Sequence, residues 1–282
     1  MHIVKFALCF VIFVSFLGAN DRIFTPITNE IDYDISKAML GKKLFFDQRI
    51  SKRSMSCENC HHLAREVTGT SHWRYPNPST ILNASLNKMY GSAGEHTNLR
   101  DYIKFKIQSP KGLGTQTHEL INRIKKIPDY ANLFENIYGS GANVKFVQDA
   151  IANFIQALKT PSKFDDYLLG NKNALASDEK AGLRFFRRSC IPCHNGVNLG
   201  GNLIITQTTS GKNAYQKVPI LRNILKTAPY FYNGSANTIQ EVFILLANKD
   251  IVVKHKEING DDLKNLMAFL ETLNGKTPEI LK

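Results

Sequence analysis

Four cysteines and two histidines carry the most specific chemistry in this 282-residue chain. They fall in two copies of one pentapeptide, Cys57-Glu58-Asn59-Cys60-His61 and Cys190-Ile191-Pro192-Cys193-His194. At this spacing two thiols bond the two vinyl groups of one porphyrin, and the adjacent imidazole meets the iron. His61 and His194 are therefore the expected proximal ligands, because tethering the porphyrin brings the next imidazole to the metal. Three other chemistries fit less well. A redox dithiol needs a thioredoxin-like strand–helix–strand context, and none is visible. One zinc ion would have to gather its thiolates from pairs separated by 129 residues. Disulfides between cysteines so close in sequence would be strained. The fifth cysteine, Cys9, lies in a segment expected to be removed. The mature chain thus reads as a carrier of two covalent c-type haems with no spare thiol.

The elements that must position these motifs read as mainly α-helical, in two cytochrome c-like haem domains with long wrapping loops. Ile35, Ala38, Met39, Leu44 and Phe45 recur at helical spacing over Asp34 to Phe46, just before the first motif. Residues 66–100 are rich in Thr, Ser, Asn, Pro and Gly and read as a loop wrapped around the first haem. Helices are expected at 99–107, 117–126 and 144–158, the last with a core-facing stripe of Val147, Ile151, Phe154 and Ile155. Residues 170–176 read as the boundary between halves. Ser177 is expected to cap a helix that delivers the chain to the second motif, with Asp178 and Glu179 favouring its dipole. Residues 195–234 read as loop-rich, and a helix near 260–273 closes the domain. No run of alternating strands is expected. The domains are read as 1–19 signal peptide, 20–170 N-terminal haem domain and 171–282 C-terminal haem domain.

Residues 6–17 form an apolar run interrupted only by Ser15, and Gly18-Ala19-Asn20 offers a small-residue cleavage site. The run is short for a bilayer span. Export fits c-type haem, so a bacterial periplasm is the expected address. The formal charge is +12, spread over dispersed lysines without an arginine-rich stripe. That pattern excludes nucleic acid as a partner and leaves two readings, an acidic redox partner or a solvated basic surface.

Several ordered blocks carry a family likeness from about residue 30 onward. Leu40-Gly41-Lys42-Lys43-Leu44-Phe45-Phe46-Asp47 precedes the first motif, and Phe164-Asp165-Asp166-Tyr167, Gly182-Leu183 and Phe185-Phe186 precede the second. His194-Asn195-Gly196, Val218-Pro219-Ile220-Leu221-Arg222-Asn223 and Thr227-Ala228-Pro229-Tyr230-Phe231 follow it. In these the chain resembles the bacterial di-haem cytochrome c peroxidases, a superfamily that includes the di-haem oxidase that matures methylamine dehydrogenase. The resemblance implies that the N-terminal haem meets hydrogen peroxide. It implies that the C-terminal haem takes electrons from a small cytochrome c or cupredoxin. It places a distal ligand of the first haem at His72 and a calcium ion between the halves at Asn77, Thr227 and Pro229. The family is often dimeric, so a homodimer is implied. A maturation-type oxidase and a non-enzymatic electron carrier are the alternative functions.

The chain also departs from the family pattern. Leu246 stands where the second haem usually finds a methionine or tyrosine, leaving that iron five-coordinate or ligated by Met267 or Tyr232. The stretch Lys111-Gly112-Leu113-Gly114 lacks the usual acid–base glutamate, and His96, Glu95 and Glu119 are the candidates to move the proton in its place. The tryptophan between the haems is missing. Trp73 is the only tryptophan, and Tyr90 or Tyr102 would have to supply an aromatic bridge.

Overall fold

A computed structural model describes residues 23–63, 77–209, 212–247 and 260–282. The expected signal peptide, His72 and Trp73 lie outside these residues. Among the described residues the helices are α1 (Ile35–Phe46), α2 (Leu99–Gln108), α3 (Thr117–Lys125), α4 (Pro128–Tyr138), α5 (Val144–Gln156), α6 (Lys163–Leu168), α7 (Ser177–Ser189), α8 (Ile239–Ala247) and α9 (Gly260–Glu271). The chain is mainly α, and none of these helices is long and apolar enough to cross a membrane.

Local chemistry explains most helix boundaries. The Asp34 carboxylate accepts the Lys37 N–H and starts α1. The Asn98 side chain accepts the N–H groups of Arg100 and Asp101 and starts α2. Proline at the first position opens α4, and Gly139, at φ +67°, ends it. One cap differs from expectation. Ser177 is the first helical residue of α7 and Ala176 is the cap, because the Glu179 carboxylate reaches back to the Ala176 N–H at 2.6 Å.

Two crossed helix pairs frame the halves, α1 with α5 and α7 with α9, and each crossing is built the same way. Gly41 lies against Ala150 and Gly182 against Asn265. A β-carbon added to either glycine would come within 2.0 Å or 1.9 Å of the facing carbonyl oxygen. One turn later Phe45 meets Phe154 with ring centroids 5.2 Å apart, and Phe186 meets Phe269 at 5.1 Å. The repeat continues beyond the helices. Asn83 and Asn223 sit at φ +59° and +60°, a conformation asparagine tolerates better than most residues. Each opens a short 3-10 turn, Ala84–Leu86 or Ile224–Lys226. Each turn leads to an isolated β-bridge, Tyr90 with His96 or Tyr230 with Ala236.

The first core gathers Leu44, Ile103, Leu120, Tyr130, Phe134, Val147 and Ile151 from α1 to α5. The second gathers Phe164, Leu183, Phe186, Leu266, Phe269 and Leu270 from α6, α7 and α9. The first and last described residues cross over between the halves. Phe24 packs edge-on against Phe164 in the second core, and Ile27 donates its N–H to Asp165. At the other end, Ile280 and Leu281 pack against Phe45 and Leu63, and Lys42 Nζ holds the Ile280 carbonyl at 2.6 Å. Asp165 and Arg222 form a two-pronged ion pair, both bonds 2.7 Å, with Arg222 0% and Asp165 1% exposed. The pair is fully supplied with partners. Ser162 and Ile27 donate to Asp165, and Arg222 also donates to Ser162 Oγ and the Val197 carbonyl.

A hairpin adds to the expected picture, which holds no run of alternating strands. β1 (Ile204–Thr209) and β2 (Lys212–Lys217) run antiparallel, with Ile204 opposite Lys217. The cue was present in the β-branched run Ile204-Ile205-Thr206 and in Thr208-Thr209 before Ser210-Gly211. The hairpin ends on the first half, where Lys217 donates its N–H to the Ser92 carbonyl and its Nζ to the Met89 carbonyl.

Candidate haem sites

Both pentapeptides are folded by the same pair of backbone bonds. Cys60 and His61 donate their N–H groups to the Cys57 carbonyl at 3.1 and 3.0 Å; Cys193 and His194 donate theirs to the Cys190 carbonyl at 3.2 and 2.8 Å. Around the first motif, Ser56 and Asn59 close a capping box, with the Asn59 oxygen accepting the Ser56 N–H. Among the described residues these four cysteines form no disulfide. Burial, then the neighbouring Cys60, pushes the Cys57 thiol up to about 12, and burial, then Cys193, does the same for Cys190.

The surroundings suit a porphyrin. Cys57 packs beside Phe45, Phe46, Leu63, Ile81, Leu82 and Leu158. Cys190 and Ile191 pack on the second core together with Phe231, Val242, Phe243, Leu245 and Met267. Burial holds His61 near 4, helped by the Lys106 charge, and burial lowers His194 as well, so both imidazoles are kept neutral as iron ligation requires. His61 Nδ1 is buried without a hydrogen bond, although the Ser79 backbone is close enough to oppose its shift. His194 Nδ1 lies 3.0 Å from the Leu199 carbonyl. A carbonyl only accepts, so Nδ1 carries the proton and Nε2 keeps its lone pair for a metal.

These residues fit two c-type haems, with Cys57 and Cys60, and Cys190 and Cys193, as thioether anchors and His61 and His194 as axial ligands. Haem held there would supply electron-transfer chemistry; the chain's own part is to hold, orient and desolvate it.

The other expected site residues are spread unevenly. His96 pairs with Tyr90 through the backbone, and its ring lies 4.8 Å from Phe105 and 5.3 Å from Tyr102. Tyr90 and Tyr102 stack at 5.8 Å, so both aromatic candidates and His96 share one cluster. Glu119 is engaged by Arg123 on the surface of α3. Glu95 is exposed, and its Oε2 accepts the Ala93 N–H. Leu246 is half-buried on α8, and Met267 packs at the edge of the second core. Of the residues expected around a calcium ion, Asn77 and Pro229 meet, with Asn77 Nδ2 at 2.7 Å from the Pro229 carbonyl and 3.0 Å from the Phe231 carbonyl. Turning that amide over would put its oxygen beside the two carbonyls, the donor set a hard cation takes. Thr227 donates its hydroxyl to Ile224.

Lys106 is the residue that sequence reasoning missed. It lies on α2, and its charge acts on Cys57, Cys60 and His61, while Glu95 acts on it in turn. Burial pulls its ammonium pKa down. Gly112 packs closely on the Lys106 backbone, since a β-carbon there would meet the Lys106 carbonyl at 1.9 Å. The sequence signal was only a lysine between the core positions Ile103 and Ile107, which is ordinarily a solvated one.

Two halves of one design, each with a haem-attachment motif beside an apolar core, define a di-haem c-type cytochrome. Residues 35–173 match the di-haem cytochrome c peroxidase family. The cytochrome c551 peroxidase of Nitrosomonas europaea is 33% identical over 93% of this chain and 87% of its own. The cytochrome c551 peroxidase of Pseudomonas aeruginosa is 31% identical over 86% of this chain and 79% of its own. Among solved structures, a MauG-like protein associated with microbial copper homeostasis superposes with a TM-score of 0.72, covering 91% of this chain and 94% of that one at 19% identity. The chain belongs to the di-haem cytochrome c peroxidase family and is an oxidoreductase of the peroxidase type.

Proposed function

We propose that this protein works in the bacterial periplasm, reducing hydrogen peroxide at the first haem with electrons that enter at the second. The balance is one peroxide, two electrons and two protons to two waters. The electrons come from two molecules of a one-electron donor such as a small cytochrome c or cupredoxin. The observation that carries the reading is the unequal exposure of the two motifs: Cys193 is exposed, whereas Cys57, Cys60 and Cys190 are partly covered. An uncovered edge suits exchange with a protein donor, and a covered pocket suits a small oxidant. In this reading Lys106, with Glu95 in electrostatic range, takes over the proton handling that the missing glutamate leaves open. A calcium ion at Asn77 and Pro229 would tie the halves together.

The donor-facing side is basic. Lys180, Arg184 and Arg188 follow one another at four-residue spacing on α7, with Arg184 and Arg188 exposed, and the helix runs into the second motif. No carboxylate among the described residues pairs with these three. An acidic donor fits this ridge.

Stopped-flow mixing of peroxide with half-reduced holoprotein and ferrous cytochrome c tests the reading. Two cytochromes oxidised per peroxide are expected, and absence of turnover in the half-reduced protein would overturn it. Leu246 favours a second reading, a maturation-type oxidase, since a five-coordinate second iron would be open to other substrates.

A further inference from the structure

The segment between His194 and the hairpin is held in an unusual way. Leu199 is fully buried and sits at φ +48°, a left-handed conformation that residues with a β-carbon avoid. This twist belongs to the loop whose Leu199 carbonyl lies 3.0 Å from His194 Nδ1. Three of the contacts that keep the loop in place bear on the residues beside Leu199. Arg222 Nε holds the Val197 carbonyl at 3.0 Å, and the Leu221 N–H holds the Asn198 carbonyl at 3.1 Å. The third contact leaves the second half. Asn198, itself 0% exposed, donates its side-chain amide to the Asn83 carbonyl at 3.0 Å and to Asn87 Oδ1 at 2.8 Å. Gly201 gives Asn87 room, since a β-carbon there would lie 2.4 Å from Asn87 Oδ1.

We infer that Asn198 is a positioning residue through which the first half sets the strength of the second iron's proximal ligand. The physical chain is short. A ring N–H that donates to a well-placed carbonyl makes the other ring nitrogen more basic, and a more basic ligand favours the ferric state. Asn198 anchors the residue next to that carbonyl, and its anchor points belong to the first half. His61 Nδ1 makes no hydrogen bond of this kind among the described residues, with only the Ser79 backbone nearby, so the two imidazoles are held differently. The inference rests on the two-haem reading and adds to it a means by which the halves communicate.

The test uses the full-length holoprotein and reads the midpoint potential of each haem by spectroelectrochemistry. Asn198→Ala is expected to raise the potential of the second haem and leave the first unchanged. Asn87→Ala, which removes one of the two anchors without touching Asn198, should shift it the same way by less. Asn83→Gly is the control. It keeps the carbonyl and suits the positive φ but deletes the side-chain bonds to Thr160, so it should lower stability with no shift in potential. An unaltered second potential in Asn198→Ala, or in Asn87→Ala if the first variant does not fold, overturns the proposal, as does an equal shift in Asn83→Gly. A haem count on the wild-type protein separates the two claims: one haem instead of two refutes the underlying reading and this inference with it, whereas two haems with unmoved potentials refute this inference alone.

Discussion

Asn83 and Asn223, one from each half, donate their side-chain amides to the same atom, the Thr160 hydroxyl oxygen, at 2.7 and 2.8 Å. Their other contacts correspond as well. Asn83 accepts the Thr160 N–H and donates its own to the Leu158 carbonyl, while Asn223 accepts the Gly275 N–H and donates to the Leu273 carbonyl. All three residues at this junction are 0–1% exposed. Thr160 thus stands where two repeated corners of the molecule meet, in the stretch between α5 and α6.

Thr160→Val keeps the shape and removes the shared acceptor. Two buried amide donors lose their partner, so unfolding should become easier by about 2–4 kcal/mol. The midpoint of a urea titration checks this, with Ser as the substitution that restores the hydroxyl.

The crossing glycines should be similarly intolerant. Gly41→Ala and Gly182→Ala each push a β-carbon into a facing carbonyl on a helix that cannot yield alone. Each is expected to cost about 2–3 kcal/mol. Because each helix leads into one motif, Gly41→Ala should lower loading of the first haem and Gly182→Ala that of the second, read by mass spectrometry of peptides carrying each attachment site.

Stability should fall in acid through two carboxylates of the first half. A bond from Arg49, against the opposing effect of burial, and further bonds from the Arg49 backbone and Tyr130 hold Asp47 below the usual carboxylate range. Burial raises Asp149, but bonds from Arg100 and Tyr138 and the charges of Arg100 and Lys37 outweigh it and leave it lowered. A carboxyl with a depressed folded pKa stabilises fully above its unfolded value, near ~4, and loses that contribution as pH falls through the folded value. The urea midpoint should therefore hold steady above about pH 5 and drop below about pH 4. Asp149→Asn should lower the plateau and flatten the drop.

Lys106→Met retains the stem and deletes the charge. With two haems still bound, peroxide turnover should fall about 100-fold or more if Lys106 handles the proton. Steady-state assays with haem content as the reference decide this, and Lys106→Arg, charged but poor at releasing a proton, should not restore the rate.

Reversing the α7 ridge with Arg184→Glu and Arg188→Glu should raise KM for an acidic donor by about tenfold and leave kcat unchanged, since rim charges act on encounter. The dependence of the wild-type rate on salt should weaken in the double variant.

Much was legible in the residues alone. The paired pentapeptides, the four longest-patterned helices and the family likeness are local or linear properties, set by covalent spacing, by a period of 3.6 and by ordered blocks. The short α6 was missed because six residues carry too little periodicity, and α4 because it follows α3 after only two residues. The hairpin was missed because its turn signal lay within a stretch dominated by Gly and Asn.

What the tertiary structure decided is which distant residues meet. Asn83, Asn223 and Thr160 are ordinary polar residues in sequence, and only burial makes their shared bond obligatory, since water is not there to replace it. The same holds for Lys106, which turns from a surface lysine into a neighbour of the first motif, and for Asn198, which reaches from one half to the other. Composition and spacing pointed to the kind of chemistry this chain carries. Folding settled which groups tune it, because electrostatic and hydrogen-bond effects depend on distance and solvent exclusion, and neither is encoded by position along the chain.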